Sequence, residues 1–173
     1  MKYFLTVIGV MCFTVTVFSQ SNSLNNLKAK KMIHCTPFLL FDGNCAEAMT
    51  FYKNCLGGEL TLAKVGDTPM KDQFPIEKHN RIINAQLKSG AIDFSATDWM
   101  ASPTLEPIHG NTVAMYIVGG TYDELKIVFD KLADGADKDK RTFIELNNMP
   151  FGSFGQFTDK YGVSWIFKGE QKK

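Results

Sequence analysis

The chain has 173 residues, of which 45% are hydrophobic and 21% charged, and its formal net charge at pH 7 is +1. This length suits one ordinary domain, and the composition is that of a globular protein and excludes a disordered chain. The 19 basic and 18 acidic residues form no long block of one sign, so the sequence gives no basis for nucleic-acid binding.

The N-terminal segment has the pattern of a secretory signal peptide. One lysine precedes an apolar run that ends at Phe18, after which the chain becomes polar. Val17 and Ser19 are small residues at positions −3 and −1 of a cleavage site after Ser19. We expect a signal peptide at 1–19, a linker at 20–35 and a periplasmic or secreted mature protein that does not interact with membranes. An uncleaved membrane anchor is the alternative.

Three cysteines would remain after cleavage, namely Cys35, Cys45 and Cys55. An odd number in an exported chain argues against a disulfide framework. If Cys45 and Cys55 lie on one helix, they are about 15 Å apart, well beyond the roughly 7 Å between Cα atoms that a disulfide allows. We therefore expect these thiols to be small buried hydrophobic residues.

Two segments with matching patterns predict two amphipathic helices. Asn44 and Glu47 form an N-x-x-E capping box, and Thr121 and Glu124 form a T-x-x-E box. The apolar residues after each cap recur at positions i, i+3, i+4 and i+7, which is the spacing of one buried helix face. These residues are Ala48, Phe51, Tyr52 and Cys55 in the first helix, and Leu125, Val128, Phe129 and Leu132 in the second. Both helices are expected to end at glycine.

One strand is predicted before each helix and three after it. In the first half these strands lie at 37–41, 59–65, 81–87 and 91–97. In the second half they lie at 112–118, 142–146, 155–158 and 163–167. The chain is thus a duplicated βαβββ unit of the α+β class, with modules at about 36–100 and 110–168 joined by the hinge "SPTLEPIHGN".

This duplicated unit resembles the vicinal oxygen chelate superfamily of glyoxalase I, extradiol dioxygenases and bleomycin-resistance proteins. Its PhnB-like branch is the most similar, on the stretches "FLLFDGNCAEAMTFYKNCLGGEL", "GDTPM", "INAQLKSG" and "FGQFTDKYGVSW". The resemblance covers about 36–168 and implies one domain with a cleft between two curved sheets, in which a small molecule binds.

In metal-dependent members of that superfamily, His, Gln or Glu side chains on the first and last strands of each module bind one divalent ion. The resemblance places these positions at Pro37, near Ser95, at Thr112 or Ala114, and at Ile166. None of these side chains is a good metal ligand. We therefore expect no cofactor, with a divalent metal as the alternative.

PhnB-like sequences have also been described as ubiquinone-pathway methyltransferases. Such an enzyme ordinarily needs an S-adenosylmethionine site, commonly a glycine-rich turn after a parallel strand, and this sequence contains no such turn. It also lacks a nucleophilic serine elbow, a P-loop and a GxGxxG motif.

Aromatic and polar residues are expected to line the cleft instead. The glycines of "MPFGSFG" would let the loop that carries Phe151 and Phe154 approach a ligand. Tyr161 and Trp165 belong to the same aromatic group, but Trp165 lies inside a strand and is expected in the core or a dimer interface. The predicted ligand-binding residues are Asn84, Ser95, Trp99, Thr112, Phe151 and Phe154.

The sequence favours an exported protein that binds a small organic ligand without metal. The alternative is a lyase, isomerase or dioxygenase with relocated residues, for which His79, Asp93 and Glu145 are the candidate bases or ligands. His79 lies in a polar loop that can overhang the cleft. Asn84 stands where PhnB-like sequences often have histidine. A pure interaction module is the third class considered.

A symmetric homodimer is also predicted. The two prolines of the hinge make it stiff, which fixes how the modules face each other and allows exchange of modules between chains. The near-neutral net charge does not oppose self-association. Phe38 and Met115, on the first strand of each module, are expected in or near the contact.

Overall fold

The computed structural model of the protein describes residues 33–100, 107–108 and 110–170. The predicted signal peptide, most of the predicted linker and most of the hinge lie outside these residues, so the expectations for them stay predictions. Within the described ranges, we find no helix with the length and apolarity that a membrane crossing requires.

The described chain contains two βαβββ modules, which confirms the predicted order of elements. The first module consists of β1 (Phe38–Phe41), α1 (Cys45–Leu56), β2 (Glu59–Lys64), β3 (Ile82–Ser89) and β4 (Ile92–Asp98). The second consists of β5 (Met115–Val118), α2 (Tyr122–Leu132), β6 (Ile144–Met149), β7 (Gly152–Thr158) and β8 (Ser164–Lys168). The connection from β2 to β3 also contains three short 3-10 turns, at Val65–Asp67, Lys71–Gln73 and Ile76–Lys78.

Each module forms a four-stranded sheet whose first strand lies at one edge, beside the last strand. The strand orders are β1-β4-β3-β2 and β5-β8-β7-β6. β1 is parallel to β4 and β5 is parallel to β8, whereas the other neighbouring strands are antiparallel. The register places Phe38 opposite Ser95 and Tyr116 opposite Ile166. The two modules therefore share one topology, and the α+β fold class is confirmed.

Residues along each strand alternate between a face that packs into the core and an open face. On β4, Phe94 is buried and its neighbour Ser95 is half-buried. On β8, Trp165 and Phe167 are buried, and Ile166 between them is half-buried. We use the term open faces for the sides of the two sheets that carry Ser95 and Ile166.

The two modules share one hydrophobic core, and α1 lies where they meet. The ring of Tyr52 on α1 packs edge-on against Phe94 of its own module, with 5.9 Å between ring centroids. It packs in the same manner against Trp165 of the second module, at 5.5 Å. Because one such module alone is too small to bury much apolar surface, this shared core is what makes the pair stable.

The helix α2 begins with the predicted capping box. The Thr121 side chain accepts a hydrogen bond from the backbone N–H of Glu124, and the Glu124 carboxylate accepts one from the backbone N–H of Thr121 at 2.8 Å. Two N–H groups that lack partners within the helix are satisfied in this way.

The predicted capping box of α1 is wrong. Within the described residues, Asn44 makes no side-chain hydrogen bond that caps the helix, and its backbone is not in the extended conformation usual for an N-cap. Asp98, at the end of β4, takes that role. Its buried carboxylate accepts from the backbone N–H groups of Gly43 and Cys45, both at 2.9 Å, and of Ile82 at 2.8 Å.

The glycine at the end of α1 and two of the three cysteines follow the sequence predictions. Gly57 ends the helix with a positive φ of 74°, which favours glycine. Cys45 and Cys55 are free thiols buried in the core. The expectation of burial is wrong for Cys35, which is exposed because it precedes the first strand.

Candidate functional site

A groove of about 490 Å³ runs along β1. Its described lining lies at 37–41, 107–108, 110, 112–115 and 161–164. It thus combines the first strand of one module with the segment that leads into β5 and the turn between β7 and β8. The side chains of this lining are apolar, apart from the hydroxyl-bearing Thr112, Tyr161 and Ser164.

The first wall of the groove is the edge strand β1. One edge of β1 pairs with β4, where the carbonyl of Pro37 accepts from the backbone N–H of Ser95 at 3.0 Å. Because β4 uses that edge, the remaining edge of β1 borders the groove. Phe38 lines the groove and is 62% exposed, so the wall presents apolar surface that the described chain does not bury.

The second wall includes the turn at 161–164, which a buried carboxylate holds in shape. Asp159 Oδ1 accepts from the backbone N–H of Tyr161 at 2.9 Å and from that of Val163 at 3.0 Å. The backbone N–H of Asp159 donates to the carbonyl of Val163 at 2.9 Å. Gly162 completes the turn with a φ of 85°, a conformation that side-chain-bearing residues rarely adopt.

Two hydroxyl groups connect this turn to α1 of the first module. Tyr52 donates to Asp159 Oδ2 at 2.8 Å, and Trp165 Nε1 donates to the same oxygen at 2.8 Å. Tyr161, which lines the groove, donates to Glu47 Oε1 at 2.9 Å. The wall formed by the second module is therefore bonded to a helix of the first.

Both tyrosines are neutral at physiological pH. Burial, followed by the hydrogen bond to Glu47, raises the pKa of Tyr161 to about 12. Burial is also the main reason that the pKa of Tyr52 is raised, and the charge of Asp159 is the second. The two hydroxyl groups therefore act as hydrogen-bond donors, and neither is a suitable proton acceptor near neutral pH.

The described lining of the groove does not have the chemistry of a divalent metal site. Pro37, Thr112 and Ala114 line it, and they occupy positions where the resemblance implies metal ligands. Their side chains offer at most one neutral hydroxyl oxygen, whereas divalent metals in proteins are held by imidazole, thiolate or carboxylate groups. Within the described ranges, no group of three or more His, Cys, Asp or Glu residues has the geometry to hold a metal ion. The side chains of the described lining therefore do not fit a resident metal.

The predicted ligand-binding residues lie in different parts of the fold. Thr112 lines the groove. Ser95 lies on the open face of the first sheet opposite Phe38, and Asn84 lies on the same face of β3. Trp99 follows β4, where its backbone N–H donates to the carbonyl of Phe41 at 2.6 Å.

Phe151 and Phe154 lie together, but outside the described lining of the groove. Their ring centroids are 6.2 Å apart at the turn between β6 and β7. The Lys168 ammonium group lies over the Phe151 ring at 4.6 Å and donates to the Phe151 carbonyl. The binding roles of these two residues stay predictions.

The three candidate catalytic residues are not brought together. His79 Nε2 lies 3.0 Å from the carbonyl of Lys71 and 3.2 Å from that of Phe74, so this nitrogen carries a proton and holds the β2–β3 loop. The Asp93 carboxylate accepts from Gln86 Nε2 at 3.0 Å.

Glu145, the third candidate, lies on β6, where its exposed carboxylate is 3.4 Å from the ammonium group of Lys126 on α2. The three residues thus occupy a loop, a strand of the first sheet and the α2 side of the second module. Their catalytic role stays a prediction.

The sequence interpretation missed most of the groove. The sequence places Tyr161 in an aromatic group and Phe38 and Met115 in a predicted dimer contact, yet all three line the groove. No sequence pattern considered above points to Asp159. The available signal was its place in "DKYGVSW", one of the stretches that carry the family resemblance.

Comparisons with known proteins give a family and a fold. A family model described as 3-demethylubiquinone-9 3-methyltransferase matches residues 33–167. Protein PA1353 from Pseudomonas aeruginosa is 29% identical in sequence, with a TM-score of 0.64, over 82% of this chain and 100% of its own. The PhnB protein from Bacillus cereus, named as a 3-demethylubiquinone-9 3-methyltransferase, is 26% identical, with a TM-score of 0.59, over 79% of this chain and 99% of its own.

A more distant structure shows the shared fold. The glyoxalase/bleomycin resistance protein/dioxygenase domain from Frankia is 14% identical, with a TM-score of 0.52, over 82% of this chain and 94% of its own. At this identity the likeness concerns the fold alone.

Proposed function

The chain belongs to the 3-demethylubiquinone-9 3-methyltransferase family, the PhnB-like branch of the glyoxalase/bleomycin-resistance superfamily, and we propose that it binds a small organic ligand in the β1 groove without a metal. The observation that carries this proposal is the groove itself. Its volume of about 490 Å³ lies within the range of about 300 to 1,000 Å³ that is usual for small-molecule sites.

The lining indicates which ligands suit the groove. Its apolar side chains provide surface for a hydrophobic body, and burial of such surface is the main source of affinity. The hydroxyl groups of Thr112 and Ser164 can orient polar groups of the ligand. This combination of a hydrophobic wall and a few polar groups favours a neutral, mostly apolar molecule.

The proposed role differs from the methyltransferase activity in the family's description, because the sequence lacks the glycine-rich turn that commonly binds the methyl donor. The alternative of an enzyme with one relocated base or ligand rests on Asp93, which shares the face of the first sheet that carries Ser95 and accepts from Gln86 Nε2 at 3.0 Å. His79 is bonded to loop carbonyls, and Glu145 is exposed on β6 beside a lysine of α2. Sequestration or transport of the ligand outside the cytoplasm is the role that we propose.

We further propose that the protein functions as a homodimer. Phe38 on β1 and Tyr116 and Val118 on β5 are exposed apolar side chains on the edge strands of the two sheets. Exposed apolar side chains on sheet edges are commonly covered by a partner. A second copy that covers them would also close the open side of the groove along Phe38.

Thermal-shift screening against a library of small organic molecules tests the proposed ligand site. The groove variant is Val113→Asp, which places a carboxylate in the apolar lining at an exposed residue. The matched control is Ile127→Asp, at an exposed apolar residue of α2 outside the described lining. A true ligand should raise the melting temperature of the parent and of Ile127→Asp, but not that of Val113→Asp. Ligands that stabilise all three proteins equally would show that the groove is not the site.

A further inference from the structure

Asp159 is 5% exposed, and its carboxylate accepts four hydrogen bonds, which divide between its two oxygens. Oδ1 accepts from the backbone N–H groups of Tyr161 and Val163, at 2.9 and 3.0 Å. Oδ2 accepts from the Tyr52 hydroxyl and from Trp165 Nε1, both at 2.8 Å. A buried carboxylate with this number of donors is fixed in position, since each donor would otherwise lack a partner.

The two oxygens serve different parts of the molecule. The bonds to Oδ1 shape the turn at 161–164, which is a wall of the groove. The Tyr52 bond to Oδ2 comes from α1, in the other module. One side chain therefore connects the shape of a groove wall to the position of the first-module helix.

The opposite wall of the groove is connected to the same helix. β1 ends at Phe41, and α1 begins at Cys45, so only three residues separate that wall from the helix. On the other side, the Tyr161 ring packs 5.5 Å from the Phe51 ring of α1, and its hydroxyl donates to Glu47 of α1. Both walls are thus attached to α1. The β1 wall is attached through the three-residue connection, and the turn is attached through the hydrogen bonds of Asp159 and Tyr161.

We propose that Asp159 is a positioning residue of the groove, which holds the turn at 161–164 against α1 and thereby sets the width of the binding site. Binding in the groove and packing between the modules are then energetically coupled through Tyr52 and Asp159. The part of this inference that concerns binding rests on the proposed ligand site. The part that concerns the position of the turn does not.

The test removes the cross-module bond without removing the carboxylate. Tyr52→Phe deletes the hydroxyl that reaches Asp159 and leaves the ring in the core. The matched control is Tyr122→Phe, which deletes a hydroxyl that donates to the carbonyl of Leu146 at 3.2 Å within the second module. Both variants lose one tyrosine hydroxyl and one hydrogen bond. Because the Tyr52 bond is buried and made to a carboxylate, the unfolding free energy of each variant is also measured in urea, and exchange rates are compared after correction for that difference.

Two measurements are made on these variants. The first is amide hydrogen exchange of Tyr161 and Val163, whose N–H groups are bonded to Asp159 Oδ1. Exchange should be at least about threefold faster in Tyr52→Phe than in Tyr122→Phe. Equal exchange rates in the two variants would overturn the positioning role, whatever the groove binds.

The second measurement is the dissociation constant of the fluorescent probe 1-anilinonaphthalene-8-sulfonate. The probe should bind at least about threefold more weakly to Tyr52→Phe than to Tyr122→Phe, and should not bind detectably to Val113→Asp. Equal affinity in the two tyrosine variants, with binding lost in Val113→Asp, would overturn the coupling and leave the proposed ligand site standing. Unchanged affinity in Val113→Asp would count against the ligand site, while hydrogen exchange alone would decide the positioning role.

Discussion

Tyr52 donates its hydroxyl hydrogen bond to Asp159 at 2.8 Å, although 107 residues separate the two in the chain. Tyr52 lies in "FYKNCLGG" and Asp159 in "DKYGVSW", two of the stretches on which the family resemblance rests. The structure gives these stretches a shared physical role, because together they form the contact between the modules and shape a wall of the groove. A duplicated fold needs such a contact, since one module alone has too little core.

The starts of the two helices predict a contrast in stability. Thr121→Ala removes the side-chain cap of α2 and should lower the free energy of unfolding by about 1 kcal/mol. Asn44→Ala should change it by less than about 0.5 kcal/mol, because Asn44 makes no capping bond within the described structure. Asp98→Ala should cost more than either, since it leaves buried backbone N–H groups unpaired. Urea unfolding measures all three, and equal losses for Asn44→Ala and Thr121→Ala would contradict the assignment of the caps.

The N-terminal ends of α1 and α2 also show which features a sequence can predict. The Thr121 box involves residues three apart on one helix, so its pattern is visible in the sequence. The cap of α1 comes from Asp98, which is 53 residues from Cys45 and reaches the helix only because β4 lies beside β1. Helix periodicity and the order of helices and strands along the chain follow from local patterns, and the sequence predicts both. It does not predict bonds that depend on tertiary packing.

The same contrast between local patterns and tertiary packing explains why the sequence predicts only part of the groove. The predicted ligand residues rest on single strands and on one glycine-flanked loop, and Thr112 is the one among them that belongs to the described lining of the groove. The groove depends on which strand lies at the edge of each sheet and on how the turn at 161–164 packs against α1. The spacing of residues predicts neither the edge strands nor this packing, because Asp159 and Tyr52 come together only when both modules have folded.

Stability should fall in alkaline solution. Burial raises the pKa of Cys45 from 9.0 to about 12, with the Asp98 charge as a second cause, and that of Cys55 from 9.0 to about 11. Burial also raises the pKa of Tyr161 from 10.0 to about 12. Each group binds its proton more tightly in the folded state. The resulting stability is complete below about pH 9 and is lost as the pH rises towards 12.

This expectation is checked by measuring, from pH 8 to pH 11.5, the urea concentration at the midpoint of unfolding. This concentration should decrease steadily above pH 9 in the parent protein. Cys55→Ala should show a smaller decrease between pH 9 and pH 11, because its thiol no longer titrates. A midpoint that stays constant or rises across this range would show that these groups are not protected by burial.

Light scattering after size-exclusion chromatography tests the proposed homodimer. The mass measured for the parent protein should be twice that of one chain. Phe38→Glu, which places a charge on the exposed edge of β1, should elute as a monomer. The matched control is Ile127→Glu, at a residue of α2 that is 59% exposed compared with 62% for Phe38, and it should remain dimeric. A parent protein that elutes as a monomer at micromolar concentration would refute the dimer.

Ligand binding in the groove should need no metal. Isothermal titration calorimetry with the best molecule from the thermal-shift screen measures this, on protein treated with EDTA and on protein supplied with Mn²⁺, Ni²⁺ or Zn²⁺. We predict one site per chain with the same dissociation constant in all of these conditions, and at least tenfold weaker binding to Val113→Asp. Binding that disappears with EDTA and returns with one of the metals would contradict the account.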